Sequence, residues 1–279
     1  MIKRVPGLWK VLWTLVLLVA LALGLRAAWL EPSSLRVSSY TVSQSAPALK
    51  GLRVAVISDL HAGSPYIDTA KIDRVVAMTN AAKPDLILLT GDYVITNVVG
   101  GHYMPIDTVA MHLKALHAPL GVYAVMGNHD RWDHADHIVA SFQAAGFSVL
   151  ENAHVFLPPP RNSIALVGLG DRDNGGPKVK KSLAGVTGPA LCFVHSPDVF
   201  PRLPPTCALT IAGHTHGGQV WLPFFGRPAV STVSRFGQRY AIGIIRENNK
   251  TLFVSSGIGT SILPLRFGVP PEISLLTLE

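Results

Sequence analysis

"LRVAVISDLH", residues 52–61, states the pattern that the rest of the chain repeats. A short, β-branched run with one charge reads as a strand. It ends on two metal-binding side chains, Asp59 and His61. Residues two apart on an extended chain point to one side, so the pair His214 and His216 further along can face one site together. The next stretch, "TAKIDRVVAMTNAAK" (69–83), has apolar residues at helical spacing and stops before Pro84. Strand, polar tip and helix together form the repeating unit of an α/β fold.

The unit recurs downstream. "DLILLTGD" (85–92) is a buried strand ending in Asp92, and "DTVAMHLKALHA" (107–118) reads as helix. "GVYAVMGNHD" (121–130) ends in Asn128, His129 and Asp130, and a helix "HADHIVASFQAAG" closes at Gly146. "FSVLENAHVFL" and "SIALVGLGD" read as two more strands. "LCFVHSPD" presents His195, and "CALTIAGHTHGG" (207–218) presents His214 and His216. In that last stretch the glycines let the backbone turn sharply and a ligand come close. "RYAIGIIRENNKTLFVSS" reads as a hairpin turning at Asn248-Asn249, and "EISLLTLE" as a last strand.

The metal-binding residue types thus gather at the carboxyl ends of apolar runs, where open α/β sheets place their sites. Asp59, His61, Asp92, Asn128, His129, His195, His214 and His216 offer oxygen and imidazole nitrogen, with no thiolate. That mix suits Mn, Fe, Co or Zn. It is too many donors for one tetrahedral zinc and fits two neighbouring cations, which together can activate a water for in-line displacement at phosphorus.

Composition limits the alternatives. The chain has 279 residues, 48% hydrophobic and 15% charged, with a net charge of +7. Residues 1–50 hold six Lys or Arg and one acid, whereas residues 51–279 hold 18 and 16. The basicity therefore belongs to the N-terminal end, and a nuclease, which needs clustered cations for the phosphate backbone, is disfavoured. "KVKK" (178–181) reads as a solvated loop. "VLWTLVLLVALALGL" (11–25) is uncharged between Lys10 and Arg26, and admits three readings: a cleaved signal peptide, an uncleaved anchor or a buried helix. Arg26 and Trp29 interrupt any small-x-small cleavage site, which favours the anchor. Lys3, Arg4 and Lys10 favour a cytoplasmic N-terminus, and so an extracytoplasmic domain, with Arg26, Arg36 and Lys50 on the other flank weighing against it. The expected organisation is an anchor over 1–30, a linker or first edge strand over 31–50, and one catalytic domain over 51–279. Cys192 and Cys207 lie in apolar runs and read as buried small hydrophobes, with a single disulfide as the alternative outside the cytoplasm.

"SDLH", "GDY", "GNHD", "VHSPD" and "GHTHGG", in this order, resemble the signature of calcineurin-like metallophosphoesterases, over residue 52 to the C-terminus. "GGQVWLP" and "SSGIGTSILPLRFGVPPEI" further resemble the YkuE/YaeI-like membrane-associated bacterial branch, which is similar to enzymes cleaving UDP-2,3-diacylglucosamine in lipid A biosynthesis. The resemblance implies a four-layer αββα sandwich and a hydrolase, a phosphodiesterase or related phosphoesterase, with two divalent metals, manganese favoured over Fe, Zn or Co. By matching motif, it implies that Asp59, His61 and His216 hold the first metal, that Asn128, His195 and His214 hold the second, and that Asp92 bridges them. A bridging hydroxide would attack phosphorus, with Asn128 and His129 contacting the phosphate and His129 assisting the leaving oxygen. Where the phosphatase branch continues "GDxxD", this chain has Ile95, so the partner that would orient His129 is missing; Asp130 could replace it only if the turn bends it back. All seven ligand positions are filled, which disfavours a non-catalytic scaffold.

Other residues carry structural expectations. His102, His112, His117, His134, His137 and His154 read as structural, and Asp171 and Asp173 as turn residues. Trp221, Phe224, Phe225 and "ILPLRFG" read as core, with a lipid-facing rim as the alternative, and Arg266 is a candidate for substrate phosphate. The partners expected are the lipid bilayer and a phosphoester substrate, with a lipid-linked one among the candidates, and no nucleic acid.

Overall fold

The computed structural model describes residues 6–43, 46–132, 134–171 and 175–279. Lys3, Arg4, Asp173 and part of the 31–50 segment lie outside the described residues. Among the described residues, twelve strands form two six-stranded mixed sheets. The first runs in the order β1 (Arg36–Val42), β12 (Glu272–Leu278), β2 (Arg53–Ile57), β3 (Leu86–Leu89), β4 (Val122–Ala124), β5 (Ser148–Val149). The second runs β10 (Gly243–Glu247), β11 (Lys250–Val254), β9 (Cys207–Ala212), β8 (Ala190–Phe193), β7 (Ala165–Gly168), β6 (Ala153–Phe156).

Strand alternation builds the layers. Val54 and Val56 of β2 and Leu86 and Leu88 of β3 face inward, where they meet Leu191 and Phe193 of β8 and Leu209 and Ile211 of β9. The intervening Ala55, Ile57, Ile87 and Leu89 face outward. They are covered by α3 (Thr69–Ala81), α4 (Ile106–Leu113) and α6 (Ala135–Ala144) through Ile72, Val109 and Phe142. Behind the second sheet Ala190, Cys192 and Val254 are covered mostly by short pieces. These include α7 (Val179–Ser182) and the 3-10 turn Pro197–Arg202. The expected four-layer αββα sandwich therefore forms, with an outer layer on this side made of single turns instead of long helices.

Several details differ from the sequence reading. The stretch 147–157 is not one strand: β5 ends in the first sheet and β6 begins in the second, so the chain crosses between sheets over residues 150–152. Of the two readings of the segment before residue 51, linker or first edge strand, the strand is what forms: β1 lies at the edge of the first sheet and pairs in parallel with β12 from Arg36 to Val42. Residues Asn128–Trp132 form a short helix, α5, directly after β4. Cys192 and Cys207 are both buried and joined in a disulfide between β8 and β9, with Cα atoms 5.5 Å apart. Trp221, Phe224 and Phe225 are exposed instead of packed in the core.

The apolar N-terminal segment is helix α1 (Pro6–Leu25), continuing in helical form to Ser33. None of its most apolar window is buried within the protein, so it is not a core helix. A fully exposed helix of this length and hydropathy is a candidate membrane span.

The disulfide closes a loop of sequence separation 15. Replacing both cysteines with alanine is expected to remove about 3 kcal/mol of unfolding free energy. Denaturant melts of the two proteins check this, and a parent protein that reacts with iodoacetamide before reduction would show that the bond is not formed.

Candidate metal centre

The carboxyl ends of β2, β3, β4, β8 and β9 converge on one edge of the sandwich. Asp59 and His61 follow β2, Asp92 follows β3, Asn128 and His129 open α5 after β4, His195 follows β8, and His214 and His216 follow β9. The turns that carry them are abrupt. Asp59, His61, Asp92, His214 and His216 all have φ between 46° and 73°, the left-handed region that L-residues seldom occupy. Such conformations cost about 1 kcal/mol or more each, and collect where function requires them.

Close backbone approach fixes two glycines. A Cβ on Gly127 would run into the Asp92 carboxylate, and one on Gly213 into Ser58 and Asp59. Gly213 precedes the histidine pair because space there is filled by the Ser58 hydroxyl and the Asp59 carboxylate, not because its φ is positive. Gly217 and Gly218, with φ of 59° and 76°, supply the turn itself.

The donors pack into two groups that share Asp92 as a neighbour. In the first, His61 Nε2 lies 3.1 Å from His216 Nε2, and His216 Nε2 lies 3.5 Å from Asp59 Oδ1. In the second, His195 Nε2 lies 3.1 Å from Asn128 Oδ1 and 3.0 Å from His214 Nδ1. Asp92 Oδ2 stands 3.5 Å from His61 Nε2 and 3.2 Å from His195 Nε2, between the groups. Asp59–His61–His216, His61–Asp92–His129 and Asp92–His195–His214 each bring their ligand atoms within 4.8 Å of one another.

Surrounding bonds orient the rings. His195 Nδ1 lies 2.8 Å from the Thr90 carbonyl, which leaves Nε2 for the site. His214 is reversed: Nε2 lies 3.1 Å from the Val233 carbonyl, leaving Nδ1 inward. Carbonyl acceptors of this kind fix the tautomer of a ligating histidine. The Asp59 carboxylate accepts the His214 backbone N–H and the Ser58 hydroxyl.

Burial pushes the His61 and His216 imidazoles well below the usual range. They stay neutral near pH 7, the form that ligates. Burial also pushes against charge on Asp92 and His195, but each outweighs it for the other: the Asp92 carboxyl is held low and the His195 imidazole high. This position favours positive charge, whether from a proton or a cation. Imidazole nitrogens of His61 and His216 facing each other at 3.1 Å, beside two carboxylates, fit divalent cations of the Mn, Fe, Co or Zn kind.

His129 does not use the partners that the sequence offered. Asp130 is fully buried and its carboxylate accepts the backbone N–H groups of Asp92, Tyr93 and Gly127. Burial, then the neighbouring Asp92, pushes its carboxyl up to about 7. Asp130 therefore shapes the turn under the ligands. The partner of His129 is Thr96, whose Oγ1 lies 2.6 Å from Nδ1. Thr96 follows Ile95 directly, so the hydroxyl stands one position beyond the missing acid.

Asp92, Asn128, His129, His214 and His216 line a cavity of about 460 Å³, together with Thr96, Trp132, Asp171, Arg202, Arg235 and Ile262, whereas Asp59, His61 and His195 do not line it and are fully buried. Asp171 thus faces the site instead of a solvent turn. Among the described residues, Arg202 and Arg235 are the cations at its wall, and nothing in their local sequence marks them. None of the six histidines read as structural lines this cavity among the described residues. Arg266, the expected phosphate contact, is fully buried and does not line it. Its guanidinium donates to the carbonyls of Ser256, Gly259 and Val269, and burial lowers its pKa to about 10, so it stays charged. It is a strut behind the site.

Residues 52–218 match the Calcineurin-like phosphoesterase family. The chain belongs to the calcineurin-like metallophosphoesterases. It is 30% identical to the uncharacterized metallophosphoesterase YkuE of Bacillus subtilis over 260 residues, 91% of this chain and 88% of that one. It is 30% identical to phosphodiesterase YaeI of Escherichia coli, over 81% of this chain and 82% of that one. It is 27% identical to the UDP-2,3-diacylglucosamine pyrophosphatase LpxG of Chlamydia trachomatis, over 88% and 90%. The protein is accordingly a hydrolase of phosphoester bonds, from a family that binds two divalent metals.

Two outcomes follow for this metallophosphoesterase. Thr96→Val is expected to lower kcat roughly tenfold with bound metal unchanged, because His129 loses its orientation; equal kcat in metal-replete assays would remove Thr96 from the site. Arg266→Ala leaves three buried carbonyls without their donor and is expected to cost more than about 3 kcal/mol of stability in a denaturant titration.

Proposed function

We propose that the protein is a membrane-anchored phosphoesterase that uses two divalent cations, manganese favoured, on a lipid-linked phosphodiester, phosphomonoester or pyrophosphate of the bacterial envelope. The observation that carries this is the convergence of seven oxygen and nitrogen donors in two groups around Asp92. Asp59, His61 and His216 would hold one cation and Asn128, His195 and His214 the other, with Asp92 between them. When bound, such a pair supplies Lewis acidity at phosphorus and a lowered pKa for water.

The chain's own residues supply the rest. Where the Thr96 hydroxyl donates to Nδ1, neutral His129 carries its proton on Nε2, ready for a phosphoryl or leaving oxygen. Burial holds the His129 imidazole below its usual range, in keeping with the neutral form. Arg202 and Arg235 at the cavity wall suit an anionic substrate. The exposed apolar helix α1 supports an inner-membrane anchor. The Cys192–Cys207 disulfide supports a domain on the oxidising, extracytoplasmic side.

Hydrolysis of UDP-2,3-diacylglucosamine in lipid A biosynthesis is the alternative, favoured by the likeness to LpxG. A cytosolic lipid A step would need the domain to face inward, against the disulfide.

Full-length protein, stripped and reloaded with Mn, is expected to bind two equivalents and to hydrolyse bis-p-nitrophenyl phosphate. Asp92→Asn is expected to bind less metal and to lose at least a hundredfold in kcat/KM, the scale of losing one electrostatic contact at a reacting centre. Fewer than one equivalent bound by the parent, or no turnover of any phosphoester or pyrophosphate, would overturn the reading.

A further inference from the structure

The end of helix α1 is not a loose tether. The Arg266 backbone N–H donates to the Ala27 carbonyl at 2.9 Å, and the Tyr66 hydroxyl to the Ala28 carbonyl at 2.7 Å. Val269 N–H donates to Glu31 Oε1 at 2.6 Å, and Lys71 Nζ to the Ser33 and Ser34 carbonyls at 2.6 and 2.8 Å. The Arg26 guanidinium lies 5.1 Å from the centre of the Phe267 ring. These contacts begin within one helical turn of Leu25, the end of α1. The domain is thereby held in one attitude, close to where the apolar helix ends.

The segment that grips the helix also carries the neighbouring loops. Phe267 N–H donates to the Gln219 carbonyl, and Trp221 N–H to the Phe267 carbonyl. Gln219 Nε2 donates to the Leu263 and Leu265 carbonyls, and Val99 N–H to the Ile262 carbonyl. A bridge from Leu222 to Gly226 closes a tight tip over 223–225. On these tips stand Phe224, fully exposed, Phe225 at 75%, Ile262 at 63% and Val99 at 61%. Phe224 and Ile262 also have positive φ, 68° and 63°. For a β-branched isoleucine that is a genuine outlier. The chain thus spends strain to hold large apolar side chains outward, on the ground where a membrane span ends.

We infer that the tips at 223–225 and 261–263 dip into the leaflet that α1 leaves, and that the active site draws its substrate from that leaflet. The partner is a lipid bilayer. Burying a phenylalanine is worth roughly 1.5–3 kcal/mol, and the anchor has already removed most of the entropic cost of bringing the loops there. Ile262 and Ser261 also line the cavity that holds Asp92, Asn128 and His129, so its mouth borders the lipid surface. The substrate class is a phosphoester of an amphiphile whose apolar chains stay in the bilayer. This second part rests on the phosphoesterase reading above, and the docking of the tips does not.

The test uses the full chain in proteoliposomes. Both native cysteines are in the disulfide, so Phe225→Cys and, at the opposite end of the sheets, Lys114→Cys each take one nitroxide label. Power saturation with oxygen and a water-soluble nickel chelate is expected to place the 225 label below the phosphate plane and the 114 label in water. A 225 label as wet as the 114 label would overturn the docking. So would protection that vanishes on dilution with lipid, which would mean a second copy of the chain covers the tips. In parallel, Phe224→Ser with Phe225→Ser is expected to lower kcat/KM at least tenfold on a vesicle-embedded diacylglycerol p-nitrophenyl phosphate. Turnover of soluble bis-p-nitrophenyl phosphate should stay within twofold. Equal loss on both substrates would overturn the membrane-fed site. If the Mn-loaded parent turns over neither substrate, the phosphoesterase reading fails, while the label depths still decide the docking.

Discussion

Everything at the working end of this protein depends on drawing seven donor atoms into a dry space at one edge of two sheets. Carboxylates and imidazoles do not gather in that way unaided: each loses hydration, and Asp59, His61, Asp92, His214 and His216 also accept left-handed backbone. At about 1 kcal/mol or more apiece, that strain alone is a sizeable part of a typical net stability of ~5–15 kcal/mol. It persists because the surroundings over-determine it. Asp59 is held by Ser58 and His214, His195 by Thr90, and the turn below Asp92 by the three backbone N–H groups on Asp130. Two cations held by these donors would add a further favourable term that only the folded state can collect.

The sandwich explains why those turns fall at one edge. In the first sheet β2, β3 and β4 run parallel, and in the second β8 and β9 do. Each pair leaves its carboxyl ends together, and the inner faces, packed through Val54, Leu88, Phe193 and Ile211, bring the two sets of ends to the same side. The apolar runs were legible because strands buried on both faces read as continuous hydrophobic stretches. The ligands were legible because each run stops on a polar, metal-binding type. Where two strands in succession belong to different sheets, as at β5 and β6, one-dimensional periodicity holds no sign of the switch, and the chain read as a single strand.

What sequence could not reveal were roles set by distant partners. Thr96 is an ordinary hydroxyl until the fold brings His129 to 2.6 Å. Arg202 and Arg235 reach the cavity from loops with no motif. Arg266 misled for the opposite reason. A lone arginine in an apolar, Pro- and Gly-rich segment near the H-x-H tip suggests a phosphate contact, yet its charge is taken up by carbonyls of Ser256, Gly259 and Val269. Cys192 and Cys207 read first as apolar filler because both lie in apolar runs, with a disulfide as the alternative, and only the pairing of β8 with β9 makes them neighbours.

Arg266 also shows how helix α1 and the site are mechanically one body. Its backbone N–H holds Ala27 at the foot of α1, while its side chain holds Gly259, whose own N–H donates to the Asp59 carbonyl. Three links therefore separate the apolar helix α1 from Asp59 in the donor cluster. A flexible linker in the same place would let the domain tumble and present its cavity to solvent most of the time. A bonded foot instead fixes the attitude of the domain on α1, so, with α1 in a bilayer as proposed, the direction in which the cavity opens becomes a property of the fold. For a hydrolase of soluble phosphoesters that arrangement would bring no gain, and for one whose substrate is confined to a plane it converts a search in volume into a search along a surface.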